Sequence, residues 1–133
     1  MIYLDTSALF KLIVLETESG AFREYLEVAA TDTLVTSQIG VVELLRSARR
    51  LGPIAAAGAQ RLIPGLATAP MNADIVTLAA ELQPPELRTL DALHLATALT
   101  LKAGVVVSYD QRMLEACRVY GLDTASPGWS AQP

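Results

Sequence analysis

Asp5, Glu43, Asp91 and Asp110 each stand against an apolar stretch: Ile2-Tyr3-Leu4 before Asp5, Val41-Val42 and Leu44-Leu45 around Glu43, Leu90 and Ala92-Leu93 around Asp91, and Val105-Val106-Val107 shortly before Asp110. Carboxylates gathered by such segments can hold a hard divalent cation, the arrangement that hydrolysis of a phosphodiester needs. Their spacing along the chain then asks which elements would bring them together.

Residues 1–5 read as a short buried strand, after which Thr6 or Ser7 can cap a helix over 7–14. Apolar spacing predicts a second helix over 18–30, with Phe22, Tyr25 and Leu26 on one side. A strand over 33–36 leads to Ser37, a good N-cap for a helix to Leu51 that Gly52-Pro53 closes. Glu43 lies in its middle. An Ala-rich helix over 54–62 ends at Pro64-Gly65, an extended piece follows at 67–70, and Asn72 caps a helix over 73–82. Pro84-Pro85 breaks the chain before a helix over 91–103, for which Gly104 is the stop signal. Residues 105–108 form the clearest strand, 110–120 the last helix, and 124–126 an edge strand.

Strands alternating with helices predict a mostly parallel sheet covered on both faces, an α/β fold of three layers. Sites in such sheets form beyond the carboxyl ends of the strands, where Asp5 and Asp110 both fall. At 133 residues the chain fits one domain, taken as 1–126 with a tail over 127–133.

Net charge is −4, against the basic surface that phosphate binding usually rests on. Setting the four carboxylates aside leaves ten acidic residues against ten basic ones, so the excess charge equals the candidate site. Bound cations would neutralise it locally. Eight of the basic residues are Arg, whose planar fork grips phosphate in a bidentate manner; Arg46, Arg88 and Arg112 are the candidate contacts, with a solvated surface role as the alternative. Cys117 is alone, which excludes an internal disulfide and fits a reducing cytoplasm. The opening Met1-Ile2-Tyr3-Leu4 lacks a basic leader, and no apolar run is long enough for a membrane span.

Each acid has a plainer reading. Asp5 could cap the following helix, although Thr6 and Ser7 already supply that chemistry. Glu43 shares a helical stripe with Gly40, Ser47 and Arg50, so it could pair with Arg46 or Arg50 on the surface; equally, the small neighbours would let a ligand come close. Asp91 could favour the dipole of a first helical turn with Thr89 or Leu90 as the cap, and Ser108 with Gln111 matches a capping box that would explain the turn at Asp110. His94, one turn after Asp91, is the only His and reads as a structural tie between its helix and a neighbour rather than a zinc ligand.

Taken together, Leu4-Asp5-Thr6-Ser7-Ala8-Leu9, the segment from Ser37 to Glu43, Arg88-Thr89-Leu90-Asp91-Ala92-Leu93-His94-Leu95-Ala96 and Ser108-Tyr109-Asp110 resemble PIN-domain ribonucleases. More narrowly, they resemble the VapC toxins of type II toxin-antitoxin systems, over nearly the whole chain. The resemblance implies a three-layer α/β/α fold, a Mg²⁺ or Mn²⁺ site and endonucleolytic cleavage of RNA. It implies that Asp5 and Asp91 are metal ligands, that Glu43 and Asp110 complete the pocket, and that Thr6 and Ser108 help to orient a ligand or water. No second carboxylate stands beside Asp110 to build a second metal position.

Leu9, Phe10, Leu12, Ile13, Val14 and Leu15 put apolar residues around most of a short helix. Either that helix is an edge element buried in the monomer, or a partner covers it. In the family the cover is an antitoxin segment and a homodimer contact. A haloacid-dehalogenase-like phosphohydrolase would need a second Asp at position 7, where Ser stands. A PIN-like module that binds RNA or protein without cutting would not need all four carboxylates.

Overall fold

The computed structural model describes residues 1–129; residues 130–133, the end of the expected tail, lie outside the described residues. The chain opens with β1 (Ile2–Leu4), an uninterrupted apolar triplet buried on both faces, as the centre of a covered parallel sheet requires. It continues through α1 (Thr6–Phe10), α2 (Ser19–Val28), β2 (Leu34–Ser37), α3 (Gln38–Leu51), α4 (Pro53–Leu62), a 3-10 turn (Ile63–Gly65) and β3 (Ala67–Ala69). Then come α5 (Ala73–Glu81), α6 (Thr89–Leu101), β4 (Val105–Val107), α7 (Gln111–Val119) and β5 (Thr124–Ala125).

The strands form a five-stranded sheet in the order β3-β2-β1-β4-β5, every pair parallel. Alternation along the strands sends side chains to two cores. Tyr3 and Val106 pack with α5, α6 and α7 through Ile75, Leu95 and Met113. Ile2, Leu4 and Val107 pack with α1 to α4 through Leu9, Phe22, Leu44 and Ala59. The result is the expected three-layer α/β/α fold. Leu4 pairs with Val107 in register, so Asp5 and Ser108 leave the sheet side by side. The chain winds outward from β1 through β2 to β3 and then crosses to the other side of β1. That reversal between β1 and β4 is where a cleft opens in such sheets.

Two helices differ notably from the sequence expectation. The helix over 7–14 stops at Phe10 and continues as turns. Beside that turn the hydroxyl of the fully buried Ser19 lies 2.8 Å from the Lys11 carbonyl and 3.2 Å from the Val14 carbonyl, its one proton shared between them, which holds the start of α2 against the turn. Phe10, Leu12 and Ile13 pack against the core on that side, and only Leu15 of the apolar run is fully exposed, at 87%. Most of that surface is thus covered within the chain itself.

The helix expected over 91–103 begins at Thr89 and closes at Lys102, which takes the left-handed conformation (φ 53°) usually left to Gly. Gly104 acts later, its N–H donating to the Met1 carbonyl at 3.0 Å and tying the start of β4 to the start of β1. Ser37 ends β2 and caps α3 in one residue, accepting from the Ile39 N–H at 3.1 Å, so strand and helix join without a loop. Among the described residues no helix is long and apolar enough to cross a membrane.

Candidate active site

Asp5 follows the last residue of β1 and is only 4% exposed. It, rather than Thr6 or Ser7, caps α1: its Oδ1 accepts from the Ala8 N–H at 3.0 Å and from the Ser7 hydroxyl at 2.6 Å. Its Oδ2 accepts from the Ser108 hydroxyl at 2.5 Å, across the β1–β4 junction. Burial raises its pKa, and His94 with the Ser108, Ser7 and Ala8 donors only partly offsets that. Capping and site chemistry are therefore not alternatives here. The cap uses one oxygen, and a carboxylate has lone pairs to spare.

Glu43 forms no ion pair with Arg46 or Arg50. Its Oε1 accepts from the Thr6 hydroxyl at 2.7 Å and lies 2.8 Å from His94 Nε2. His94 Nδ1 is in turn 2.7 Å from the Tyr3 hydroxyl. Burial first, and then Asp5, raise the Tyr3 pKa, so the phenol keeps its proton at neutral pH. With Tyr3 donating to Nδ1, a neutral His94 carries its proton on Nε2 and gives it to Glu43. Burial acts to raise the Glu43 pKa, but the bonds from His94 and Thr6 outweigh it and hold the carboxyl below its ordinary value. Both bonds fall on Oε1, leaving Oε2 for a water or ligand.

The small residue at 40 makes room for packing and not for a ligand: a side chain there would meet Thr36 Oγ1 at 2.5 Å and His94 Cε1 at 3.2 Å. His94 is thus the structural tie that the sequence indicated, running from α6 to both β1 and α3.

Asp91 stands in the first turn of α6, where the helix dipole favours it; the cap position is Arg88, which makes no side-chain capping bond. Instead the Arg88 guanidinium reaches back, with Nε 3.2 Å from Asp91 Oδ2 and Nη2 2.6 Å from Asp110 Oδ2. Burial and the nearby Asp110 raise the Asp91 pKa, with Asp5 adding to them, and Arg88 only partly opposes this. Asp110 itself, rather than a Ser108 capping box, caps α7: its Oδ1 accepts from the Arg112 N–H at 2.9 Å and from the Met113 N–H at 3.4 Å. Ser108 holds the Asp110 N–H at 3.0 Å.

All four carboxylates line one hollow of about 270 Å³ beyond the carboxyl edge of the sheet, together with Thr6, Ser7, Arg88, Thr89, Leu90 and His94. Thr6 and Ser108 orient carboxylates directly, through the bonds already given. Arg46 lines the neighbouring hollow, which shares Glu43 and Leu90 with the first. Arg112 does not join them: its side chain faces a separate hollow with Pro84, Glu86 and Leu87. Tyr3 escaped the sequence reading, although a Tyr inside a buried strand must find a partner for its hydroxyl.

Residues 2–119 match the model of the PIN domain. The chain is 41% identical over 133 residues to Ribonuclease VapC47 of Mycobacterium tuberculosis (strain CDC 1551 / Oshkosh), covering 96% of this chain and 98% of that relative. The chain belongs to the PIN-domain family, among the VapC ribonucleases. Two solved structures share its fold at low identity. The crystal structure of VapC20 from the same species, a Sarcin-Ricin loop cleaving toxin, superposes with a TM-score of 0.74 at 21% identity, covering 96% of this chain and 100% of that one. VapBC2 from Rickettsia felis, bound to a DNA fragment from their promoter, superposes with a TM-score of 0.76 at 19% identity, covering 94% and 98%.

The oxygen donors of this PIN pocket, carboxylates and hydroxyls with no thiolate, suit Mg²⁺ or Mn²⁺, and its one imidazole, His94, is already bonded to Tyr3 and Glu43. Among the described residues, however, no three acidic, His or Cys side chains converge as a ready metal-holding group. The carboxylate oxygens are also engaged by donors of the chain itself. Ser108, Ser7 and Ala8 occupy both oxygens of Asp5, and Arg88 takes one oxygen each from Asp91 and Asp110.

Proposed function

We propose that this protein is a divalent-metal-dependent endoribonuclease and the toxin of a toxin-antitoxin pair. The observation that carries the reading is the convergence of Asp5, Glu43, Asp91 and Asp110 in one hollow at the strand-order reversal. It occurs in a chain 41% identical to a ribonuclease.

In this reading Asp5 and Asp91 bind Mg²⁺ or Mn²⁺, while Glu43 and Asp110 complete the pocket. Bound there, the cation would polarise the scissile phosphate and lower the pKa of an attacking water. Asp5 is fixed for that task by three donors and cannot swing away without breaking the α1 cap. Glu43 Oε2, held in place by the bonds on Oε1, orients the water as an acceptor. Thr6 and Ser108 act by orienting those two carboxylates. Arg88 and Arg46 contact phosphates of the RNA strand on either side of the bond that breaks.

An antitoxin protein and a second copy of the chain are the partners in this reading, the antitoxin being supported by the likeness to a VapBC assembly. Leu15 and the half-buried residues beside it are the candidate contact. A cytoplasmic location fits an enzyme whose substrate is cellular RNA and whose single Cys is buried. The reading is tested by mapping new RNA ends after brief expression in cells, alongside incubation of the purified protein with RNA and Mg²⁺. New ends at a limited set of sites, absent when the metal is chelated, are the expected outcome. RNA left intact in both settings would contradict it.

A further inference from the structure

We infer that Arg88 is an internal cation competing with the divalent metal for Asp91 and Asp110, so that loading the site requires its guanidinium fork to let go. This rests on the reading of the pocket as a divalent-metal site.

Arg88 contacts Asp91 Oδ2 through Nε and Asp110 Oδ2 through Nη2, a single guanidinium spanning two carboxylates that belong to different helices. Among the described residues no other Lys or Arg forms an ion pair with Asp5, Glu43, Asp91 or Asp110. While Arg88 is docked both Asp110 oxygens already carry a bond, since Oδ1 caps α7, so a metal there would share an oxygen with one of these donors. Asp91 keeps only Oδ1. Releasing Arg88 returns one oxygen to each, so two carboxylates on the rim of the hollow gain a donor that the docked guanidinium now occupies.

The fork is also built to leave. Its side chain is 55% exposed, it makes no capping bond, and exposed ion pairs are weak enough to exchange readily. Once released it stays anchored at the first turn of α6, on the rim of the hollow, with the geometry that grips a phosphate in a bidentate manner. One side chain thus closes the empty site and, when displaced, is poised over the substrate.

The test is calorimetric titration of Mn²⁺ into the parent protein, Arg88→Gln, Arg88→Lys and Asp91→Asn at neutral pH. Arg88→Gln is expected to bind Mn²⁺ about tenfold more tightly than the parent, the scale of losing a weak two-armed ion pair. Arg88→Lys keeps the charge without the fork and is expected to fall between the two. Equal or weaker binding by Arg88→Gln would overturn the competition while leaving the metal site standing, provided that Asp91→Asn loses affinity; parent-like binding by Arg88→Lys beside tighter binding by Arg88→Gln would overturn the part given to the fork and leave competition by charge alone. Undiminished binding by Asp91→Asn, or no binding by any of the four proteins, would overturn the metal site itself and the competition with it.

Discussion

His94 Nε2 lies 2.8 Å from Glu43 Oε1, so the middle of α3 is tied to α6 one turn beyond Asp91. The same ring is bonded to Tyr3 in the central strand, and its side chain is only 3% exposed. His94→Ala would leave a cavity together with an unpaired Tyr3 hydroxyl and a loosened Glu43. We expect it to cost about 3 kcal/mol in urea unfolding. Glu43→Gln keeps an acceptor for Thr6 and His94 and is expected to cost less than about 1 kcal/mol. Equal losses in the two variants would remove His94 from its positioning role.

Gly40 is where that tie is most easily upset. Thr36 Oγ1 is held by a 2.7 Å bond to the Leu4 carbonyl, so it cannot yield to a methyl group at position 40. Gly40→Ala is expected to destabilise the protein by roughly 1–3 kcal/mol, the ordinary range for overpacking. The His94 ring resonances should shift with it in an NMR spectrum. A variant with parent-like stability and an unmoved ring would contradict the packing account.

Ser108→Ala removes the donor to Asp5 Oδ2 and the acceptor for the Asp110 N–H. The first loss bears on the ionised form of Asp5 and should cost about 1.5–3 kcal/mol while that group is charged. Without Ser108 the folded-state pKa of Asp5, already raised by burial, moves further up. The destabilisation is therefore full above that pKa and shrinks as pH falls through it and Asp5 protonates in both proteins. Urea unfolding of the pair from neutral pH into the acid range checks this. A loss that stays constant with pH would show that the Asp5 bond contributes little.

The parts of the fold that were legible are those in which a local signal had a single meaning. The apolar triplets at 2–4 and 105–107 admit only buried strands, and Asn72 caps α5 as its type indicates, accepting from the Ile75 N–H at 3.0 Å. Caps were misplaced by a residue or two wherever several capping types stand in a row. At Asp5-Thr6-Ser7 and Ser108-Tyr109-Asp110 the acid took the helix while the hydroxyls turned to neighbouring groups.

What could not be read depends on contacts between distant segments. Tyr3 and His94 meet across 91 positions, and Glu43 and His94 across 51. The grouping of the four acids was legible as a set because each sits at an element end or on a defined stripe. The partner of Glu43 and the reach of Arg88 to Asp110 were not, because long side chains choose among neighbours that only the tertiary fold supplies.

Asp91 has a folded-state pKa raised by burial and by Asp110. Its protonation therefore contributes stability that is fully present below the unfolded-state value and is lost as pH rises through the folded one. In metal-free protein at neutral pH the ionised Asp91 is a burden, and Asp91→Asn is expected to melt at a higher temperature than the parent. The gap should close as pH falls below the ordinary carboxylate range. Added Mg²⁺ or Mn²⁺ should raise the melting temperature of the parent and leave the variant unmoved. A variant that melts lower than the parent at neutral pH without metal would contradict this electrostatic account.

Whether the four carboxylates form a metal-dependent nuclease site is decided by cleavage of one defined RNA by purified parent and Asp91→Asn proteins, with and without Mn²⁺. Metal-dependent cutting by the parent is expected, with a loss of at least about a hundredfold in rate for the variant, since removing one preorganised electrostatic contact commonly costs that much. Cutting by Asp91→Asn at the parent's rate, or cutting by the parent that is indifferent to chelation, would place the chemistry elsewhere.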